Sequence, residues 1–283
     1  MPKFDTPEPI TATIELALGD VRIVAGDDRV DTVVEVRPTD SSDSKDVKTA
    51  EQVKVTCSNG NLQILGPKGR SPFSKVGSVD VVVELPAASR LRVDAAAASF
   101  RSEGVLGECR FKTAAGHLQL DRTDALTLST AAGDVSVEHV AGRAEITTHS
   151  GSLRVSEIEG SAAIKNSNGA SWIGLVGGDL RVSAANGDIT VDSAQASVNA
   201  KTANGTIRIG EVVRGEVALA TSMGGLEIGI REGSAAWLDV RSSFGRVHNS
   251  LTAADGPAEP DEKVEVRART SFGDITVRRS TEA

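Results

Sequence analysis

Apolar and polar residues alternate along most of this chain, in short runs broken by glycine. The clearest repetition lies between Leu126 and Val213, where LTLSTAAGDVSVEHVAG, AEITTHSGSLRVSEIEG, AAIKNSNGASWIGLVGG, LRVSAANGDITVDSAQ and VNAKTANGTIRIGEVV follow one another. Alternation over four to eight residues predicts a half-buried strand, and a glycine between two such runs predicts a turn. The anchor glycines Gly133, Gly151, Gly169, Gly187 and Gly205 recur every 18 residues. Ala98, Gly116, Gly224, Gly245 and Gly273 extend the series, with successive intervals of 18, 17, 18, 18, 18, 18, 19, 21 and 28 from Ala98 onward. The last interval is assigned to an inserted loop at 252–262, since loops tolerate insertion at small entropic cost.

Counting from each anchor gives columns. Five residues before it stand Val93, Phe111, Leu128, Ile146, Ile164, Val182, Ala200, Leu219, Val240 and Ala268; two after it stand mostly Leu, Val and Ile, as do the residues four after it. Three before it the column is rich in Thr, as at Thr113, Thr130, Thr148, Thr202, Thr221 and Thr270, which suits a corner where hydroxyls satisfy backbone groups. Asn168, Asn186 and Asn204 directly precede three successive anchors. Matched positions of this kind favour coils stacked one on another over an antiparallel meander, because stacked amides can form a ladder. The fold class expected is therefore all-β: a parallel β-solenoid, a β-helix-like stack of about 18-residue rungs with an N-terminal β-strand segment. A single rung buries too few aliphatic side chains to offset the ordering of its own backbone, so neighbours must complete it.

Residues 1–9 are Pro-rich and expected to be an unpaired lead-in. Residues 10–86 read as an N-terminal β segment continuous with the stack, and 87–283 as the repeats. In the former, ITATIELALGDVRIVAG reads as strand, tight turn at Gly19, strand; DTVVEVRP as a strand closed by Pro38; TDSSDSKDVKTA as a solvated loop; QVKVTCSNGNLQILGP as strand, turn at Gly60, strand; PKGRSPFSKVG as a second loop; and SVDVVVELP as a strand ended by Pro86. Arg278 and Arg279, in the last strand of the sequence, read either as protection of an open edge or as ordinary surface charge.

The 283 residues include 28 glycines and only 3% aromatics, without tyrosine, which suits thin aliphatic layers. A net charge of −8 excludes an obvious binder of nucleic acid or anionic membrane. Cys57 and Cys109 give neither a disulfide framework nor a metal spacing and read as buried free thiols. No basic stretch followed by an apolar run opens the chain, and no apolar run reaches about 18 residues. A reduced, cytoplasmic setting is expected, with no membrane span. His117, His139, His149 and His248 share no metal spacing. The Gly-Asp steps at Asp134, Asp188 and Asp274 are interrupted elsewhere in their column, so they read as turn aspartates bonded to local backbone rather than as calcium ligands. No catalytic, cofactor-binding or metal site is expected.

The repeats LSTAAGDVSVEHVAG, IKNSNGASWIG, LRVSAANGDITVD and AKTANGTIRIGEVVRG, with the closing pair EGSAAWLDVRSSFGRVHNSL and VEVRARTSFGDITVRRS, resemble the bacterial β-strand-repeat family known as "putative adhesin" or toastrack domains. The resemblance spans roughly residues 10 to 280. It implies a parallel β-solenoid-like stack, no agreed biochemical activity and no shared catalytic residues.

One outward column stands out, four residues before the anchor: Lys112, Ser129, Thr147, Lys165, Ser183, Lys201, Ala220, Arg241 and Arg269, flanked by Arg110, Arg181 and Arg267 and interrupted by Glu145 and Asp239. Five after the anchor, Asp121, Glu138 and Asp192 suggest an opposing acidic face. Complementary charge of this kind suits a protein partner or self-association, though the same charges would equally serve as an ordinary solvated sheet face. Trp172 should point outward, as an interface anchor or as a cover for Gly174 and Gly210. Lys112, Lys165, Arg181, Lys201, Arg241, Arg269 and Trp172 thus form the candidate interaction surface. The function expected is a non-enzymatic scaffold or interaction protein acting through flat faces or ends. The alternatives are a carbohydrate-active solenoid enzyme, on fold analogy, and a self-polymerising, cytoskeleton-like solenoid.

Overall fold

The structure, a computed structural model, describes residues 1–67, 76–251 and 262–280. The expected loop at 67–77 lies mostly outside these residues, as does nearly all of the expected insertion at 252–262. The chain forms two compact units, Met1–Ala141 and Gly142–Ala283, each a stack of parallel β-coils.

The first unit contains β1 (Lys3–Asp5), β2 (Thr11–Gly26), β3 (Asp31–Pro38), α1 (Ser44–Gln52), β4 (Lys54–Ser58), β5 (Asn61–Leu65), β6 (Val79–Pro86), β7 (Arg90–Glu103), β8 (Val105–Leu106), β9 (Cys109–Ala115), β10 (Leu118–Thr123), β11 (Leu126–Ala132) and β12 (Val135–Val140). Its parallel stack begins at β2, whose first half pairs with β5, whose second half pairs with β6, and which runs alongside β7 from Thr11 to Val24. From there β7 pairs with β9 and β10, β9 with β11, and β10 with β12, all parallel. The core is aliphatic, with Phe100 and Phe111 buried edge to face, centroids 5.7 Å apart.

Three expectations fail in this unit. The lead-in is not unpaired: β1 lies antiparallel to β3, and Lys3 bonds Asp31 at 2.7 Å. Gly19 makes no tight turn. Strand β2 runs on through it without reversing, so both halves stay in one coil. TDSSDSKDVKTA contains a helix, capped by Asp43, whose side chain accepts from the Lys45 N–H at 2.8 Å. Distant backbone pins that helix: Asp46 accepts from Ser78 N–H and Thr49 from Gly77 N–H. By contrast β3 and β6 end at their prolines as expected, and β4 and β5 form the expected hairpin. Asn59 and Gly60, at φ 49° and 70°, are the two left-handed residues that a two-residue type I′ turn requires.

The second unit contains β13 (Ala144–Ser150), β14 (Leu153–Ile158), β15 (Ala162–Asn168), β16 (Ser171–Val176), β17 (Leu180–Asn186), β18 (Ile189–Ala194), β19 (Val198–Asn204), β20 (Ile207–Val212), β21 (Gly215–Met223), β22 (Leu226–Ile230), β23 (Ala235–Phe244), β24 (Val247–Asn249), β25 (Lys263–Phe272) and β26 (Ile275–Arg279). Each coil contributes one strand to each of two parallel ladders. One runs β13, β15, β17, β19, β21, β25, β23. The other runs β14, β16, β18, β20, β22, β26, β24. Like positions stack as the columns predict: Ile164, Val182, Ala200 and Leu219 are consecutive partners and almost wholly buried.

The order at the end of this stack departs from the sequence. Strands β25 and β26, last in the chain, lie between the β21–β22 coil and the β23–β24 coil. The 28-residue interval is therefore a crossover rather than a simple loop insertion. Side-chain quality explains the choice: the inserted coil brings Ala268, Ile275 and Val277, all fully buried, whereas the displaced coil carries Asn249 where Val277 stands. Arg278 and Arg279 pair with Gly229 and Ile230 of β22 and extend past the end of β24, which stops opposite Val277. The Arg279 guanidinium donates to the Arg231 and Ser234 carbonyls.

The corners close through hydrogen bonds between coils. The hydroxyls of Thr221, Thr270 and Ser242 donate to the carbonyls of Gly205, Gly224 and Gly273, each the anchor of the neighbouring coil. Beside them the asparagines form the expected ladder: the Asn186 amide donates to Asn168 Oδ1 at 2.9 Å and the Asn204 amide to Asn186 Oδ1 at 2.8 Å. The coils approach too closely for a side chain at the anchor. Gly187 has φ +143°, and a Cβ there would fall 2.1 Å from the Gly169 carbonyl oxygen. Gly187→Ala should thus destabilise the protein by about 2 kcal/mol or more, and Asn186→Ala by about 1 kcal/mol, in chemical denaturation. Equal stability of Gly187→Ala and the parent would refute the close corner.

Candidate interaction surfaces

Strand alternation turns every second residue of each ladder outward. On β15, β17 and β19 this places Lys165, Ser183 and Lys201 in one row in register, with both lysines exposed. Two strand steps separate the lysines, roughly 10 Å. Two residues earlier on the same face, Arg181 lies between Ala163 and Asn199. The small side chains of Ala163 and Ala218 leave a shallow open depression here, rimmed by Arg143, Arg181, Asp179 and Glu216. Its carboxylates are engaged: Asp179 accepts from the Ser197 N–H, and Glu216 pairs with Arg267 at 2.9 Å.

The remaining candidates divide. Arg269 and Arg241 are neighbours on β25 and β23, and both reach Asp239, at 3.4 and 3.1 Å, which neutralises part of that end of the row. Lys112 belongs to the first unit and stands in register beside Asp94, so an acid enters the column there. Trp172 lies on the other ladder, away from the lysine row. Its ring packs under the Arg154 guanidinium, 3.8 Å from the centroid, donates to Asp192 at 3.2 Å, and covers Gly174. It is half-buried, held by these contacts as part of the coil surface. In the second unit the expected acidic column is interrupted, since Asp192 stands between Gly174 and Gly210. In the first unit Asp121 is occupied by the Gly104 N–H.

The turn aspartates also differ from expectation, because they bind the neighbouring coil rather than local backbone. Asp188 accepts from Thr206 N–H and Asp274 from Arg246 N–H, both at 2.8 Å. The sequence reading missed a third outward feature. Met223, Phe272 and Phe244, each directly before an anchor, continue the asparagine column as an apolar ridge, 58%, 53% and 69% exposed. The two phenyl rings stack 4.9 Å apart. Their shared position was readable in the repeats.

Among the described residues, no group of three or more His, Cys, Asp or Glu is arranged to hold a metal ion, and no helix is long and apolar enough to cross a membrane. The thiols of Cys57 and Cys109 are free. Burial pushes the Cys109 thiol up to about 11 and raises that of Cys57 as well.

Ladders of parallel strands closed over aliphatic layers, with polar chemistry confined to outward columns, define a β-solenoid repeat protein. The chain belongs to the Toastrack DUF4097 family, whose model matches residues 12–278. Solved structures similar to it include a "putative adhesin" from Bacteroides fragilis, at 10% identity over 98% of this chain and 95% of that one, with TM-score 0.36. Another "putative adhesin", from Parabacteroides distasonis, aligns at 12% identity over 97% and 95%, with TM-score 0.26. A "putative lipid binding protein" from the same species aligns at 11% over 99% and 96%, with TM-score 0.32. No curated protein matches the sequence.

The two thiols should behave differently. At pH 8 a thiol reagent should label Cys57 in the native protein and Cys109 only after denaturation, because the thiolate is the reactive form. Rapid native labelling of both would contradict the packing around β9.

Proposed function

We propose that this chain is a non-enzymatic interaction protein that docks an acidic protein partner on the face of β15, β17 and β19, and that it works in a reducing compartment. The row of Lys165 and Lys201, in register and exposed on a rigid ladder, carries this reading. Fixed spacing on a sheet pre-organises the charges, so little ordering cost falls on binding. Arg181 supplies a planar, bidentate group beside the row, and the depression floored by Ala163 and Ala218 offers room for a partner's side chain. The partly neutralised pair Arg241 and Arg269 contributes less.

The test is affinity capture with the parent chain and with Lys165→Glu/Lys201→Glu, each checked for fold by circular dichroism. Captured acidic protein should fall at least tenfold in the double variant, and capture by the parent should weaken as salt rises. Capture unchanged by the reversal would leave the lysines as solvation only. Self-association is favoured by a separate observation, at the end of the stack.

A further inference from the structure

The two ladders of the second unit end differently from the way the first unit begins. There, a three-residue strand, a helix and a hairpin blunt the edge. At β23 and β24, no strand among the described residues pairs with the outer edge. Leu238 and Val240 are only half-buried here, although the inner members of the Val240 column are almost wholly buried. Trp237 is 58% exposed and Phe244 69%. A ten-residue strand with a bare edge, a part-open core and two exposed aromatics is an unfinished surface.

The strand's sequence indicates what finishes it. Ala235 N–H donates inward to Glu262 O at 2.8 Å. Alternation along the strand therefore aims the backbone groups of Ala236, Leu238, Val240 and Ser242 at the open edge. A two-fold axis perpendicular to the sheet and midway between the two copies of Val240 would pair β23 antiparallel with itself, Val240 opposite Val240 of the second copy. Because the Val240 backbone groups face the edge, this centre is a hydrogen-bonded pair, as the geometry demands. Asp239 then faces Arg241 of the second copy, and Arg241 faces Asp239 of the second copy. Trp237 meets Ser243 of the second copy, so a large ring is opposite a small residue. Charge, size and hydrogen-bond phase all agree in one register.

We propose that β23 is a self-complementary dimer edge, and that its occupant is β23 of a second copy of this chain. This goes beyond the lysine-face reading and does not depend on it, since the residues are different. A two-fold contact closes on itself, so the product is a dimer rather than a filament.

Sedimentation equilibrium of the full chain should give twice the chain mass at micromolar concentration. Asp239→Arg and Arg241→Asp should each weaken the dimer at least tenfold, because each sets like charges face to face. A one-to-one mixture of these two variants should dimerise again, which a folding defect could not produce. Leu238→Pro, which removes an edge donor at a place where proline is tolerated, should be monomeric. Val240→Cys should form a disulfide-linked dimer on mild oxidation, since a hydrogen-bonded antiparallel pair sets the Cα atoms about 5.5 Å apart. A monomeric parent chain, a dimer indifferent to both reversals, failure of the mixture to pair, or open-ended growth would each overturn the proposal.

Discussion

The closeness of successive coils at the corner governs the rest of the second unit. Each anchor carbonyl lies where the next coil's Cβ would be, so the column must remain glycine across Gly169, Gly187, Gly205 and Gly224. That contact sets the register, and the register superposes everything else. Ile164 lies over Val182 and Asn168 over Asn186, while corner hydroxyls reach the neighbouring anchor's carbonyl. No coil's fit is independent of its neighbours, which is the behaviour expected of a quasi-one-dimensional stack.

The same constraint decides where chemistry can reside. In the second unit most strands fill the interior with two or three buried aliphatic side chains. Outward positions are rows rather than pockets, and each row has its own character. Amides and then rings precede the anchor, lysines and hydroxyls stand four before it, and ion pairs such as Arg208 with Glu227 lie on the opposite ladder. Such a surface can present a repeating pattern to a flat partner.

Much of this was legible in the residues. The period, the inward columns and the asparagine ladder follow from spacing alone, because a stacked coil converts sequence interval directly into spatial adjacency. What escaped was the non-local part. Helix α1 depends on Asp46 and Thr49 receiving bonds from Ser78 and Gly77, about thirty residues away. The position of β25 depends on a comparison between two coils competing for one edge, which no local pattern expresses. Among the site residues, the lysine row is legible through its register, and the packing over Gly174 matches the covering role read for Trp172. Its neighbours Arg154 and Asp192 lie 18 and 20 residues away and neutralise its apparent exposure. The depression near Arg181 arises from small residues in adjacent coils, a signal visible only when columns are compared for volume.

The permuted order of the last two coils sets a problem of timing. Strand β23 is translated before β25, yet β25 must occupy the edge of β21 that β23 would meet first. Ala268 lies opposite Leu219, and Val240, its partner one coil further out, is the residue of the same column that would take that place in the other order. While the chain is still on the ribosome, the earlier strand is the only candidate, and a premature docking there would have to be undone before the native arrangement could form. Slow release or a stall ahead of residue 263 therefore favours the misordered stack, and the sequence beyond that point acts as the late piece that locks the correct one.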